Sequence, residues 1–456
     1  MAFAFFILYV ALSYIYPGEL VPELAPYRVT YWAGTAGLVA AIASQLWRRD
    51  GPVANIQLWL LLLFTAVMGL SLMIAEEWLG APIAALQRFG PSLTIFVLAM
   101  CSVTSLVRLR IAAGCVIVLT VVLMLQGAAA YHFGFNARLF LLDRAAASDD
   151  AEHAEAVLEE QPDPDLVTDE LDDLTGEDEW SEIPRIRALG FMHDPNDLAV
   201  GMIVALGLIG GVWKPRLQLR NLLLASAAAA LVYGIYLTRS RGGAVALVVV
   251  LCRFAACHIG RVPALGLLGA LGAGVMTLDF GGRSLAGALD DSASARLAAW
   301  TEGFEMLKAQ PMLGVGYGQF LDHHTLTAHN ALVLCFAETG LLGCFLWVGL
   351  LVVTMLELHR LKQLPGNGSF EGTARQWAQA LQLCLIGFMA AAFFLSRTFV
   401  PTLYLVIGLS AALAAMARAA NKSIPLPSLP ALGILVLACE LGSIGVVYAI
   451  VKLNVT

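Results

Sequence analysis

The chain has 456 residues, 59% of them hydrophobic and 13% charged, with a formal net charge of −7. That much apolar surface exceeds what a soluble core of this size hides, which excludes an ordinary soluble enzyme and predicts a polytopic integral membrane protein. The acidic balance belongs to one stretch: Asp149 to Glu182 holds sixteen of the thirty-four acids and no Lys or Arg, so the rest is mildly basic and nothing points to nucleic-acid binding.

Apolar runs long enough to cross a bilayer as helices recur along the whole chain, from Ala2–Tyr16 to Leu432–Val451. The expected fold is all-α, a single integral membrane domain over 1–456 with about 12–13 transmembrane helices. The first run lacks a basic leader and a small-residue cleavage site, so it reads as a retained span. All eight cysteines lie in or beside apolar segments without metal-site or redox spacing, and structural disulfides are not expected.

Alternate short loops collect the cations: Arg48 and Arg49, Arg108 and Arg110, Lys214 with Arg216 and Arg220, Arg253 and Arg261, Arg360 with Lys362 and Arg375, Arg418 and Lys422. These loops are expected to be cytoplasmic. The other set then faces outward: Pro17–Thr30, Glu76–Arg88, the acidic stretch, the turn at Arg239–Arg241, a large loop at 280–330 and the turn at Arg397. The acidic insertion, taken as 143–190, has few large apolar residues and a single sign of charge, so burial cannot offset its ordering entropy. Disorder or weak helicity outside the membrane is expected there. It reads as a solvated insertion or as an electrostatic arm.

The unusual polar residues gather on this outward face, where ionisable groups at the membrane edge are costly and tend to be functional. First along the chain, HDPNDLA opens a span at His193–Ala199. Asp194, Pro195, Asn196 and Asp197 are good helix-start chemistry, and the two aspartates are also placed to orient arginines or hold acceptor hydroxyls. Arg239 and Arg241, in LTRSRGGA, sit where one span ends and the next begins. A guanidinium grips phosphate oxygens bidentately, which suits a lipid diphosphate at the interface; the alternative is a topological anchor. Arg296 begins a short predicted helix with an apolar stripe of Leu297, Trp300, Phe304 and Leu307, which lays that helix on the bilayer or the protein body. Arg296 lies beside the stripe, able to face the same diphosphate or to snorkel.

Pro311 and the glycines at 314, 316 and 318 stop that helix. No strand precedes this GxGxG, so it reads as a turn and not a nucleotide loop. His329 and Asn330 come just before the next span. Imidazole titrates near neutrality and is suited to take a proton from an attacking sugar hydroxyl; the alternative is a plain hydrogen-bonding role. Glu338, inside that span, is expected as a buried partner of the site. His323, His324 and His329 lack the pattern of a metal site, and neither a metal nor a cofactor is expected.

These residues resemble the O-antigen ligase and polymerase superfamily of bacterial envelope glycosyltransferases. The likeness rests on SRGG at Ser240–Gly243, on R-x3-W at Arg296 and Trp300 running into P-x2-GVG at Pro311–Gly316, on HN at His329 and Asn330 followed by E-x-G at Glu338–Gly340, and less tightly on DPNDLA. The resemblance implies a membrane glycosyltransferase of GT-C-like fold in the bacterial inner membrane, with its site facing the periplasm. It implies a glycan donor carried on undecaprenyl diphosphate, an acceptor hydroxyl on lipid A core, a glycan or a protein, membrane lipids as surroundings, and inverting, metal-independent chemistry. It assigns catalysis to Arg241, Arg296 and His329; Arg239 and Arg397, on the same face, are expected as supporting cations. The acidic insertion and the doubled His323 and His324 depart from the pattern. Polymerisation of lipid-linked repeats by the same machinery is the first alternative, and a polysaccharide transporter or flippase, with ionisable groups near the midplane of broken, repeat-related helices, is the second.

Overall fold

Lipid offers the backbone no hydrogen-bond partners, so spanning segments of this composition close their bonds internally as helices. The computed structural model describes residues 1–46, 55–142, 184–214, 219–258, 260, 262–263, 265–270, 285–366, 368–420 and 426–455. The chain is all-α. Its long helices are α1 (Ala2–Ile15), α2 (Val29–Leu46), α3 (Ile56–Ala75), α4 (Ala81–Ser102), α5 (Leu106–Phe133), α6 (Pro195–Val212), α7 (Leu219–Leu237), α8 (Arg241–His258), α9 (Leu285–Ala309), α10 (Ala331–Lys362), α11 (Ser369–Ala392), α12 (Pro401–Ala419) and α13 (Leu429–Val455). Among the described residues, nine helical segments are long and apolar enough to cross a membrane. Helices α2, α8 and α11 run beside them with a larger polar share, while α9 packs on α10 and α13.

Helices α6 and α12 are buried on nearly every side, as expected of helices that are apolar all round. Gly207 and Gly211, one turn apart on α6, let α11 approach so closely that a Cβ at either position would collide with Cys384 or the Trp377 ring. Small residues at this spacing are how helices pack where no hydrophobic effect drives them together.

Contacts between loops sort the helix ends into two sets. At one end Gln57 and Arg418 bond Glu357, Gln376 bonds the Gly210 and Trp213 carbonyls, and Lys362 bonds Gln382. At the other, Glu19 accepts from the Gly190 amide, Gln319 donates to Glu76, and the Arg185 guanidinium donates to the Thr238 carbonyl. The two sets match the alternation of cation-rich and cation-poor loops.

Of the acidic insertion expected over 143–190, residues 143–183 lie outside the described residues. Residues 184–190 belong instead to the body. Strand β2 (Arg185–Ile186) pairs antiparallel with β1 (Leu141–Leu142), the Arg187 amide donates to the Phe140 carbonyl at 2.9 Å, and Ile186 and Ala188 are buried. Within the loop expected over 280–330, residues 280–284 are outside the described residues. Helix α9 starts at Leu285, well before Arg296. No apolar stripe marks its first turns, where the Leu and Ala of LAGAL favour the helix by propensity.

Helix α10 is interrupted at Gly340, with φ 64° and ψ −170°. Residues 311–316 fill the gap with their own backbone. Val315 N–H donates to Ala337 O at 2.9 Å, Gly316 N–H to Glu338 O at 3.2 Å, Leu341 N–H to Pro311 O at 2.9 Å and Leu342 N–H to Met312 O at 3.2 Å. The Ser71 hydroxyl lies 2.6 Å from Leu313 O and 2.7 Å from Glu338 O. The GxGxG run is therefore a turn, as its context predicts, and one whose backbone completes a broken span. A Cβ at Gly340 would collide with the Met312 and Leu313 backbone, and its left-handed φ disfavours any other residue. Gly340→Ala is expected to destabilise the detergent-purified protein by more than about 2 kcal/mol. An unchanged Tm would show that the break is dispensable.

Candidate functional site

The turn between α11 and α12 is a meeting point of elements at the second of these two ends of the bundle. Asn330 Nδ2 donates to Phe393 O at 3.0 Å, the Thr398 hydroxyl donates to Ala331 O at 2.6 Å, and the Thr327 and Ser396 hydroxyls share a short hydrogen bond. The Trp300 ring meets Phe393 edge-on at 5.8 Å, and its indole N–H donates to Ala328 O at 2.9 Å. A Cβ on Gly242 would lie in contact with Phe394 and Leu395. The start of α8, the middle of α9, the turn before α10 and the start of α6 thus all adjoin residues 393–398.

The Arg241 turn is short because Ser240 caps α8. Its buried hydroxyl accepts from the Gly243 amide at 3.1 Å, which satisfies one of the free amides at a helix start and makes Arg241 the first residue of α8. A Cβ on Gly243 would meet Ala199 of α6 at 2.7 Å. Arg239 adopts a left-handed φ of 54°, and its guanidinium lies over the Tyr236 ring, 4.4 Å from the centroid. That ring is exposed, so Arg239 has the geometry of an interfacial anchor.

Arg296 is half-buried and lies one turn before Trp300 on the same face of α9, since residues four apart on a helix are neighbours. The indole bond to Ala328 O sets that face against the residue just before His329. His329 itself is half-buried and has a φ of 46°, a region that costs a non-glycine residue energy and recurs at sites where the surroundings over-determine the backbone. Here the surroundings do so: Ala328 is tied to Trp300, Asn330 to Phe393 and Ala331 to Thr398.

Several residues expected at the substrate have structural tasks. Asn330 is fully buried. Its Oδ1 accepts from the Leu332 and Val333 amides at 2.9 and 3.2 Å, so it caps α10. Glu338 is buried, and its Oε1 accepts from the Phe320 amide at 3.4 Å, which holds the 311–322 loop. Arg397 forms ion pairs with Asp194 and, at 2.6 Å, with Asp197. Its guanidinium thus bridges the start of α6 and the α11–α12 turn. Asp194 also caps α6, accepting from the Asn196 amide at 2.7 Å, so the capping and orienting tasks weighed for DPND fall on one side chain. Of the extra histidines, His324 Nδ1 accepts from the Leu326 amide at 3.0 Å and His323 is exposed.

Two arginines were missed at the level of sequence. Arg185 Nε donates to Thr238 O at 3.0 Å, and its Nη2 lies 3.5 Å from Asn196 Oδ1. Arg187 is buried, donating to Arg138 O at 2.9 Å and contacting His193 Nε2 at 2.9 Å. The available signal was the alternation in IPRIRALG, basic and apolar by turns straight after an acidic run.

Burial alone would raise the Asp194 pKa, but the neighbouring charges of Arg397 and Arg185 and the hydrogen bonds from Asn196 outweigh it and hold the carboxyl below its ordinary 3.8. A carboxyl depressed in the folded state stabilises the fold at pH values above the unfolded pKa, and this contribution fades as pH falls through the folded one. Asp194→Asn is therefore expected to lower the Tm by a constant amount at neutral pH, with the gap to wild type closing as the pH drops below about 4. A gap that stays constant to pH 3 would mean that Asp194 is not held by these cations.

Residues 225–348 match the family model described as O-antigen ligase. The match runs from α7 into the second half of α10 and takes in the Arg241 turn, Arg296 and His329. The match supports, over this stretch, the resemblance to the O-antigen ligase superfamily that the motifs carry. No curated protein matches the chain.

Proposed function

We propose that this chain is a glycan ligase of the bacterial inner membrane, transferring a glycan from undecaprenyl diphosphate to an acceptor hydroxyl at the periplasmic face. The observation that carries the reading is that the Arg241 turn, the Arg296 face of α9 and the His329 turn all adjoin the segment 393–398. Chemically the three side chains make a complete set. The His329 ring takes the acceptor hydroxyl proton as that oxygen attacks the anomeric carbon from the face opposite the diphosphate. The bond from that carbon to the phosphate oxygen breaks, and the electron pair leaves on undecaprenyl diphosphate. Arg241 and Arg296 stabilise the charge that develops there, helped by the α8 N-terminus. The configuration inverts, and the imidazolium returns its proton to solvent. Two guanidiniums supply the positive charge that a divalent metal supplies in other diphosphate chemistry, so the step needs no metal.

The periplasmic orientation follows from the cation-rich loops at the opposite end of the bundle. A transporter would present a broken helix to a substrate cavity. In α10 the carbonyls at the break accept instead from the protein's own loop amides, which favours an enzyme.

The test is transfer in vitro by purified protein given a synthetic undecaprenyl diphosphate oligosaccharide and lipid A core. Arg241→Ala and Arg296→Ala are each expected to reduce kcat about 100-fold or more, and His329→Ala by a comparable factor. Full activity in the His329 variant would remove the general base. Ligation predicts that a deletion strain accumulates long lipid-linked chains without an acceptor. Single repeats on lipid A core would mean polymerisation instead.

A further inference from the structure

The hairpin that brackets the acidic insertion also reaches the site. Its second strand starts at Arg185, paired opposite Leu142, and this half-buried guanidinium spans two elements that do not otherwise share a turn. One nitrogen, Nε, donates to Thr238 O at 3.0 Å, the carbonyl just before Arg239, Ser240 and Arg241. Another, Nη2, lies 3.5 Å from Asn196 Oδ1, and the Arg185 charge bears on Asp194. Asp194 and Asp197 in turn hold Arg397, within the segment that bonds the flanks of His329.

We propose that Arg185 is a positioning residue for the transfer proposed above, fixing the α7–α8 turn so that Arg241 is aimed at the diphosphate. The argument is geometric. The turn from Thr238 to Arg241 is short, and Arg239 takes a left-handed φ within it. Its two inner clamps are the Thr238 hydroxyl, which lies 3.3 Å from the Ser240 amide, and the Ser240 cap on α8. Arg185 clamps it from outside, a planar fork whose fixed geometry ties the turn to the first turn of α6. A charge-stabilising group works only where it is aimed before the charge develops, so loosening this clamp acts on the chemical step more than on donor binding. Arg185 does not touch substrate in this account; it acts through Arg241.

This inference rests on the transferase reading, and the experiment separates the two. Arg185→Gln and Arg185→Lys are purified beside wild type, checked for monodispersity, and assayed for kcat and for KM toward the undecaprenyl diphosphate donor. Amide hydrogen exchange is measured over residues 238–243 in parallel. Arg185→Gln is expected to lose about 10- to 100-fold in kcat with KM changed less than threefold, and to exchange faster in the 238–243 segment. Arg185→Lys, which keeps the charge and one donor, falls between the two. An active Arg185→Gln with unchanged kcat overturns the proposal, whether or not the turn exchanges faster, and so does a loss carried by KM alone. No transfer by wild type would sink the transferase reading instead, while the exchange data still report whether Arg185 holds the turn.

Discussion

A backbone that leaves a helix at the edge of a lipid phase must find its hydrogen-bond partners within the protein, and the turn at 393–398 finds them on the residues that flank His329. Asn330 serves two helices with one side chain: Oδ1 caps α10 while Nδ2 closes the Phe393 carbonyl at the end of α11. Thr398 closes the Ala331 carbonyl, and Thr327 bonds Ser396. The need to satisfy ordinary peptide groups therefore clamps the turn in which, among the described residues, a histidine has a left-handed backbone. The same bonds that satisfy these peptide groups fix the backbone around the candidate site.

Charge obeys the same logic. Permanent cations gathered at one edge of a membrane body are costly to leave unpartnered, and the chain offsets them unequally. Arg397 is neutralised by Asp194 and Asp197 and becomes a strut between α6 and the α11–α12 turn. Arg185 spends its donors on a carbonyl and an amide oxygen, and Arg239 rests on an aromatic face. Arginine thus acts here as brace, clamp and anchor as well as in the anion binding proposed for Arg241 and Arg296.

The helical class and the alternation of loops were legible in sequence because both follow from long-range averages: apolar run length and cation distribution. The DPND cap was legible because capping is local, set by side chains within a few residues of the amides they serve. The split of tasks among the polar residues was not. Asn330 and Glu338 read as site groups because a polar residue near a span is unusual, yet their partners are the amides of Val333 and Phe320, and the second of these depends on how a loop folds back through a broken helix. Arg185 was overlooked for a related reason. Its partner Thr238 lies 53 residues away, Asn196 lies beyond an intervening turn, and the strand that carries Arg185 is part of a two-residue ladder too short to leave a periodic signal.

The break in α10 shows why such partners have to be distant. An uninterrupted helix would satisfy the carbonyls of Ala337 and Glu338 internally, and the 311–316 loop would then have no reason to enter the bundle. With Gly340 out of helical geometry, those carbonyls accept instead from Val315 and Gly316, and the Glu338 side chain reaches the Phe320 amide. The loop that follows α9 is thereby fixed at both of its ends: by α10 through these bonds, and by α9 itself through Trp300 and Ala328. A shift of α9 would carry Arg296 and strain the Ala328 bond together. Arg296 on α9 and His329 at the end of the loop are thus linked through one bond, which suits the proposed transfer, where charge must be met at the leaving group while a proton is taken at the acceptor.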